Sequence, residues 1–342
     1  MLLLAAVLSC CTSLRRVNTE RGQEHVRQGR IYLKQDLPDS ALAEFGLALE
    51  DDPNLVDAHV SMGHIYYRVW RDFLLAHRSY QSAARLDPNH YRAHYGLALM
   101  KHLLGRVADA VGVYLKALAL QPDSFEANQH VAAAFLQLGR VSEAVTYGQR
   151  AIKLRENHQG TWANLAAAYN LAGHYERAVD AYRRAAEFGE PADPILQGLA
   201  YAHMMLGHHE HAIVVLRDLT RRNPNALTCQ RLGYCHFKFQ QFDDALSSYR
   251  AALSIDSDAI EALNGVAISL MAMQLDSEEH DDSTSRDEAL RLWRRSVQIR
   301  GNQPLIHALI ARYAPESKTG VPLRLRKGQQ EPVSPEGERH HE

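Results

Sequence analysis

The side chains best placed to do chemistry in this 342-residue chain are clustered histidines and cysteines. His208, His209 and His211 crowd the stretch GHHEHA, and imidazoles that close together can ligate a transition metal. A specific metal site needs a fixed number of ligands in a fixed geometry, and no matching cysteine or carboxylate set accompanies these three. They read as a solvated turn with no metal. The 19 histidines in total form no metalloprotease helix pair. Cys229 and Cys235 stand six residues apart. On one helix that is roughly 9 Å along the axis, too far for a disulfide, so both read as small buried hydrophobes. The chain contains no Gly-rich phosphate loop, nucleophile elbow or kinase signature, and nothing orders its serines and histidines into a triad. The sequence therefore assigns no catalytic residue and no cofactor. A formal net charge of -2 gives no global bias toward nucleic acid or anionic lipid.

What positions the remaining side chains is a period. Ala41, Ala76, Ala110, Ala144, Ala178, Ala212, Ala245 and Ala289 form a ladder with spacings of 35, 34, 34, 34, 34, 33 and 44 residues. A large ring follows four residues later in Phe45, Tyr80, Tyr114, Tyr182, Tyr249 and Trp293. Another alanine follows at the seventh residue, as in Ala48, Ala83, Ala117 and Ala151, and proline recurs at Pro53, Pro88, Pro122 and Pro224. Twelve residues before the alanine a small residue recurs, in Gly29, Ala98, Ala132, Ala166, Ala200 and Gly233. Five before it, Gly105, Gly139, Gly173 and Gly207 recur. Offsets of this kind lie along helix faces, so each unit reads as helix A, a short turn, helix B and a second turn. The turn glycine closes helix A, and the late proline follows helix B, which it cannot continue. Small residues sit where two helices cross closely, and the ring fills the gap against the neighbouring pair.

This pattern resembles the tetratricopeptide repeat family, whose unit is a 34-residue helix-turn-helix. Trp162, Leu165, Ala166, Tyr169, Gly173, Ala178, Tyr182 and Ala185 show it most fully. The resemblance implies an all-α, right-handed superhelical solenoid of about eight units over 22–303, closed by a solvating helix at 304–314. Repeat two carries one extra residue in the turn Arg68–Leu74. Repeat eight carries an acidic insertion, 274–288, expected as an exposed mobile loop. Residues 315–342 turn to Pro, Gly, Glu and Arg and are expected to be disordered.

In this family helix A lines a concave groove that binds protein or peptide partners. Carried onto this chain, the groove residues are Tyr95 and His102 in repeat three, and Gln129 and His130 in repeat four. Asn164 and Asn170 follow in repeat five, Gln197 and Tyr201 in repeat six, and Gln230, Arg231, Tyr234 and Phe237 in repeat seven. Amides can bond an extended backbone whatever its sequence, and tyrosines add apolar area with a polar tip. The Lys/Asn/Arg clamp by which some members grip a chaperone's terminal carboxylate is not formed across adjacent repeats here.

Residues 1–8 are wholly apolar, too few to span a bilayer but suited to the core of a signal segment. Val7, Leu8, Ser9 and Cys10 resemble a bacterial lipoprotein box, with Cys10 as the lipidated residue, although a basic leader is missing and Leu8 is bulky. Residues 1–21 are read as this segment and a linker. The expectation is a non-catalytic interaction scaffold in envelope complex assembly, lipid-anchored on the periplasmic face of the outer membrane, with no nucleic-acid partner. The alternative is a soluble cytosolic adaptor or an enzyme's regulatory subunit, and processing at Cys10 separates the two.

Overall fold

In a computed structural model, residues 2–276 and 283–314 are described, with side chains for 18–275 and 283–314. Among the described residues there is helix and no strand. The first repeat pairs α1 (Leu2–Lys34) with α2 (Pro38–Asp51). Then come α3 (Val56–Ile65) with α4 (Phe73–Leu86), α5 (Tyr91–Leu103) with α6 (Val107–Leu120), and α7 (Phe125–Gln137) with α8 (Val141–Leu154). They are followed by α9 (Gln159–Leu171) with α10 (Tyr175–Glu187), α11 (Asp193–Met205) with α12 (His209–Arg222), and α13 (Ala226–Lys238) with α14 (Phe242–Ile255). The last repeat pairs α15 (Ile260–Asp276) with α16 (Ser283–Ile299), and α17 (Pro304–Tyr313) closes the series as expected. The chain divides into two compact units, Met1–Leu219 and Thr220–Glu342, each taken by itself below.

The starts of α4, α5, α7, α9 and α13 are fixed by side chains that satisfy free N–H groups of the first turn. Asp72, Ser124 and Asn225 accept from Leu75, Ala127 and Thr228. The His90 and His158 imidazoles do the same for Ala93 and Thr161. In repeats three to six helix A ends at one left-handed residue, with φ of 78° at Gly105, 68° at Gly139, and 74° at Gly173 and Gly207. The same position is held in repeats one, two and seven by Asp36, Arg71 and Gln240, at 58°, 55° and 62°. No glycine marked those three turns in the sequence.

The extra residue of repeat two is absorbed by a π-helical turn, Tyr66–Trp70, in which Arg71 N–H donates to Tyr66 O. A single inserted residue in a helix characteristically forms such a turn. The insertion of repeat eight departs from expectation. Residues 274–276 complete α15 and 283–288 open α16, so most of the expected loop is helix. Its centre, 277–282, and the expected tail, 315–342, lie outside the described residues. Likewise α1 begins at Leu2, within the stretch read as segment and linker.

The ladder alanines are fully buried, and the ring four residues later is a wedge. In the first unit Tyr80 stands between Gly63 of its own helix A and Gly96 of the next. A Cβ built on those glycines would approach the ring to 3.0 Å and 2.5 Å. In the second unit Tyr249 stands likewise between Gly233 and Gly265, at 2.8 Å and 2.5 Å. Burying each ring is worth about 2–3 kcal/mol. Consecutive A helices also touch one another, α3 with α5, α5 with α7, α7 with α9 and α9 with α11, which puts them on the inner side of the first unit. Cys229 and Cys235 are buried on α13, as expected.

The left-handed turns make a paired prediction. Gln240→Gly removes a side chain from a conformation that costs it about 1 kcal/mol and should raise the denaturation midpoint. Gly173→Ala should lower it by a similar amount. Chemical denaturation followed by circular dichroism checks both.

Candidate functional site

Every groove residue expected from the sequence falls at the fifth, sixth, ninth or twelfth position of its A helix, a single helical face. All twelve are half-buried. The structure gives them three different fates.

Those of repeats three and four form one aromatic network. Tyr91 and Tyr95 stack with centroids 5.9 Å apart. His130 lies flat on Tyr114, at 6.1 Å and an interplanar angle of 8°, occupying the place that glycine takes against Tyr80. His102 meets Tyr114 edge-on at 6.1 Å, and its Nε2–H donates to Gln137 Oε1 at 3.0 Å. His130 Nδ1 is 2.7 Å from the Glu126 carbonyl, which can only accept, so Nδ1 carries the proton. The same N–H faces the Tyr95 hydroxyl oxygen at 3.1 Å. His130 Nε2 is then left as an acceptor with no bond inside the chain. Burial pushes the His130 imidazole down, so the neutral ring is the stacked one, and burial pushes the Tyr95 and Tyr114 phenols well up.

Asn170 is spent on structure. Its amide donates to Gly198 O on the next A helix at 2.9 Å, and the Tyr182 hydroxyl fills the space a Cβ on Gly198 would need. In repeat six Tyr201 packs edge-on against Tyr175 at 6.1 Å. In the second unit the Lys238 ammonium stands 5.7 Å from the Tyr234 ring, and Phe237 packs on Phe242 at 5.5 Å. Arg231 shares their helix face.

The side-chain amides of Gln129, Asn164 and Gln197, one on each of α7, α9 and α11, and of Gln230 on α13, make no hydrogen bond among the described residues. Their amide atoms keep access to solvent and are not among the buried unpaired ones, so both the donor and the acceptor of each are available to a ligand.

Sequence reasoning missed what makes room for them. At the ninth position α7 and α9 carry only Ala133 and Ala167, both half-buried. In repeat four the wedge ring is replaced by Gly148, so Asn164 has no ring beneath it, and a Cβ on Gly148 would meet Leu165 at 3.3 Å. The break was visible as a missing member of the aromatic ladder. Charge is sparse here: α9 carries no charged residue and α7 only Glu126.

Among the described residues no helix is long and apolar enough to cross a membrane. Cys10 lies within α1, but its side chain is outside the described ones.

A family model described as tetratricopeptide repeat matches residues 70–125 and 104–160, and a second of the same description matches 160–188 and 226–258. No curated protein matches the chain in sequence. Among solved structures, pilF of Pseudomonas aeruginosa superposes with a TM-score of 0.51 at 20% identity, over 60% of this chain and 94% of its own. YrrB, a TPR protein with an unusual peptide-binding site, superposes with a TM-score of 0.50 at 16% identity, over 57% of this chain and 96% of its own. At such identities the likeness is one of fold. Repeat period, helix pairing, wedge packing and the family matches agree, and residues 70–188 and 226–258 are tetratricopeptide repeats.

Proposed function

We propose that the chain is a non-catalytic scaffold that holds an extended segment of a partner protein along the A-helix face of repeats three to six. The observation that carries this reading is the row of half-buried side-chain amides, Gln129, Asn164 and Gln197, with no hydrogen-bond partner among the described residues. Side-chain amides offer both a donor and an acceptor, as a peptide backbone does, so they suit an extended segment of varied sequence. His130 Nε2 adds an acceptor, and Ala133 and Ala167 leave the space. Within the second unit, Gln230 of α13 offers the same chemistry. YrrB, similar in fold, is described by its peptide-binding site.

The reading extends to placement. The apolar run 2–8 followed by Cys10 supports a lipid-anchored protein of the cell envelope, facing the periplasm from the outer membrane. There it would gather partners during complex assembly.

Linear peptides selected for binding from a random displayed library should lose about tenfold in affinity for the Asn164→Ala/Gln197→Ala variant. They should bind a Thr146→Ala control on helix B as they bind the unaltered chain. Equal affinity for all three proteins would remove the amide row from the account. Placement is checked separately, by detergent-phase partitioning and intact mass. The unaltered chain should enter the detergent phase cleaved and lipid-bearing, and Cys10→Ser should stay aqueous; two aqueous proteins would favour a cytosolic adaptor.

A further inference from the structure

The A helices do not all begin alike. Ser124 caps α7 and Asn225 caps α13 with oxygen acceptors, which keep that role at any ordinary pH. In repeats three and five the cap is an imidazole. His90 Nδ1 stands 3.2 Å from the Ala93 nitrogen, and His158 Nδ1 3.2 Å from the Thr161 nitrogen. Both histidines are half-buried.

A backbone N–H can only donate, so Nδ1 of each ring is the unprotonated nitrogen and Nε2 carries the proton. A second proton has one place to go, which is Nδ1 itself. The imidazolium then points an N–H at an N–H, and sets a positive charge at the positive end of the helix dipole. Cap and charge exclude one another at these two positions. Imidazole is also the side chain that changes charge between about pH 8 and 5.

The groups around the two rings offer no replacement acceptor for the backbone N–H. Asp57 of α3 lies 4.0 Å from His90 Nε2, on the edge of the ring away from the cap, and is paired with Arg30 of α1 at 2.9 Å. Arg27 of α1 lines the same cavity. His94 on α5 is spent on the Pro88 carbonyl, to which its Nε2–H donates at 2.9 Å. Around His158, the Phe125 ring of α7 stands edge-on at 5.2 Å. Arg155 lies 3.9 Å over that ring and pairs with Glu126 at 3.0 Å. His130 of α7 presents a ring that burial keeps neutral. The Thr161 hydroxyl, 2.9 Å from His158 Nδ1, can reverse to accept, but the Thr161 N–H cannot.

We infer that repeats three and five carry an acid-operated release, in which a second proton on His90 and on His158 uncaps α5 and α9 and loosens their first turns. Repeat four, capped by Ser124 between them, does not respond in this way. The loosened helices carry Tyr95 and His102, and Asn164 and Asn170. A segment held along that face is let go as the pH falls. This consequence rests on the function proposed above; the loosening itself does not.

Hydrogen exchange of the full chain, read by mass spectrometry over α5 and α9 at about pH 7.5 and about pH 5 with intrinsic rates divided out, tests the caps without any ligand. Protection of both helices should fall about fivefold on acidification, the worth of one cap. His90→Asn should hold the protection of α5 while α9 still loses it, and His158→Asn should do the reverse, because an amide oxygen caps at either pH. The other histidines remain in both variants and affect them alike. A fall of equal size with and without the asparagine, or no fall in the unaltered chain, overturns the inference. Nitrogen-detected spectra of the unaltered chain give a second check: Nδ1 of both rings should be unprotonated at about pH 7.5, and a proton there overturns the inference as well.

Discussion

The arrangement rests on one contact, an aromatic ring of helix B lodged between two A helices at positions where neither helix has a side chain. Tyr80 between Gly63 and Gly96, and Tyr249 between Gly233 and Gly265, set how far apart successive A helices stand. An interior packed to crystal-like density cannot yield by a methyl group without displacing the ring. The 34-residue period is the visible trace of this packing, since the repeats that keep the wedge present ring and small residues in the same phase.

Where the wedge changes, the exposed face changes with it. Against Tyr114 the glycine position is held by His130, and the ring stack that results ties Tyr95 and His102 into the same cluster. One repeat later Gly148 replaces the ring altogether, and Asn164 stands over the space with nothing in the chain to bond. The candidate binding face is therefore the part of the molecule where inter-repeat packing is least complete. It is also nearly without charge, which suits recognition through hydrogen bonds and apolar area.

The period, the helix pairing and the closing helix were legible in the sequence because they repeat: Ala41 to Ala289 announce themselves by phase. Asp36, Arg71 and Gln240 were not legible as turn closers, because a left-handed residue that is not glycine carries no distinctive type. Nor was the π-helical turn at Tyr66–Trp70, since an inserted residue can be housed in a loop as readily as in a helix. For the groove, the resemblance supplied the face but not the fate of each side chain. Asn164 and Asn170 look alike in sequence, and only the close approach of Gly198 shows that Asn170 is already bonded.

The contact at the centre of this account can be isolated by one substitution made at two glycines. Gly96 faces the Tyr80 ring, whereas Gly112, in the middle of α6, has nothing within 4 Å of where a Cβ would stand. Both are helical, so alanine gains about 1 kcal/mol of helix propensity at either site. Calorimetric melting should show Gly112→Ala more stable than the unaltered chain, and Gly96→Ala less stable, by about 1–3 kcal/mol from overpacking. A rise in melting temperature for both variants would contradict the wedge as the constraint on which the solenoid depends.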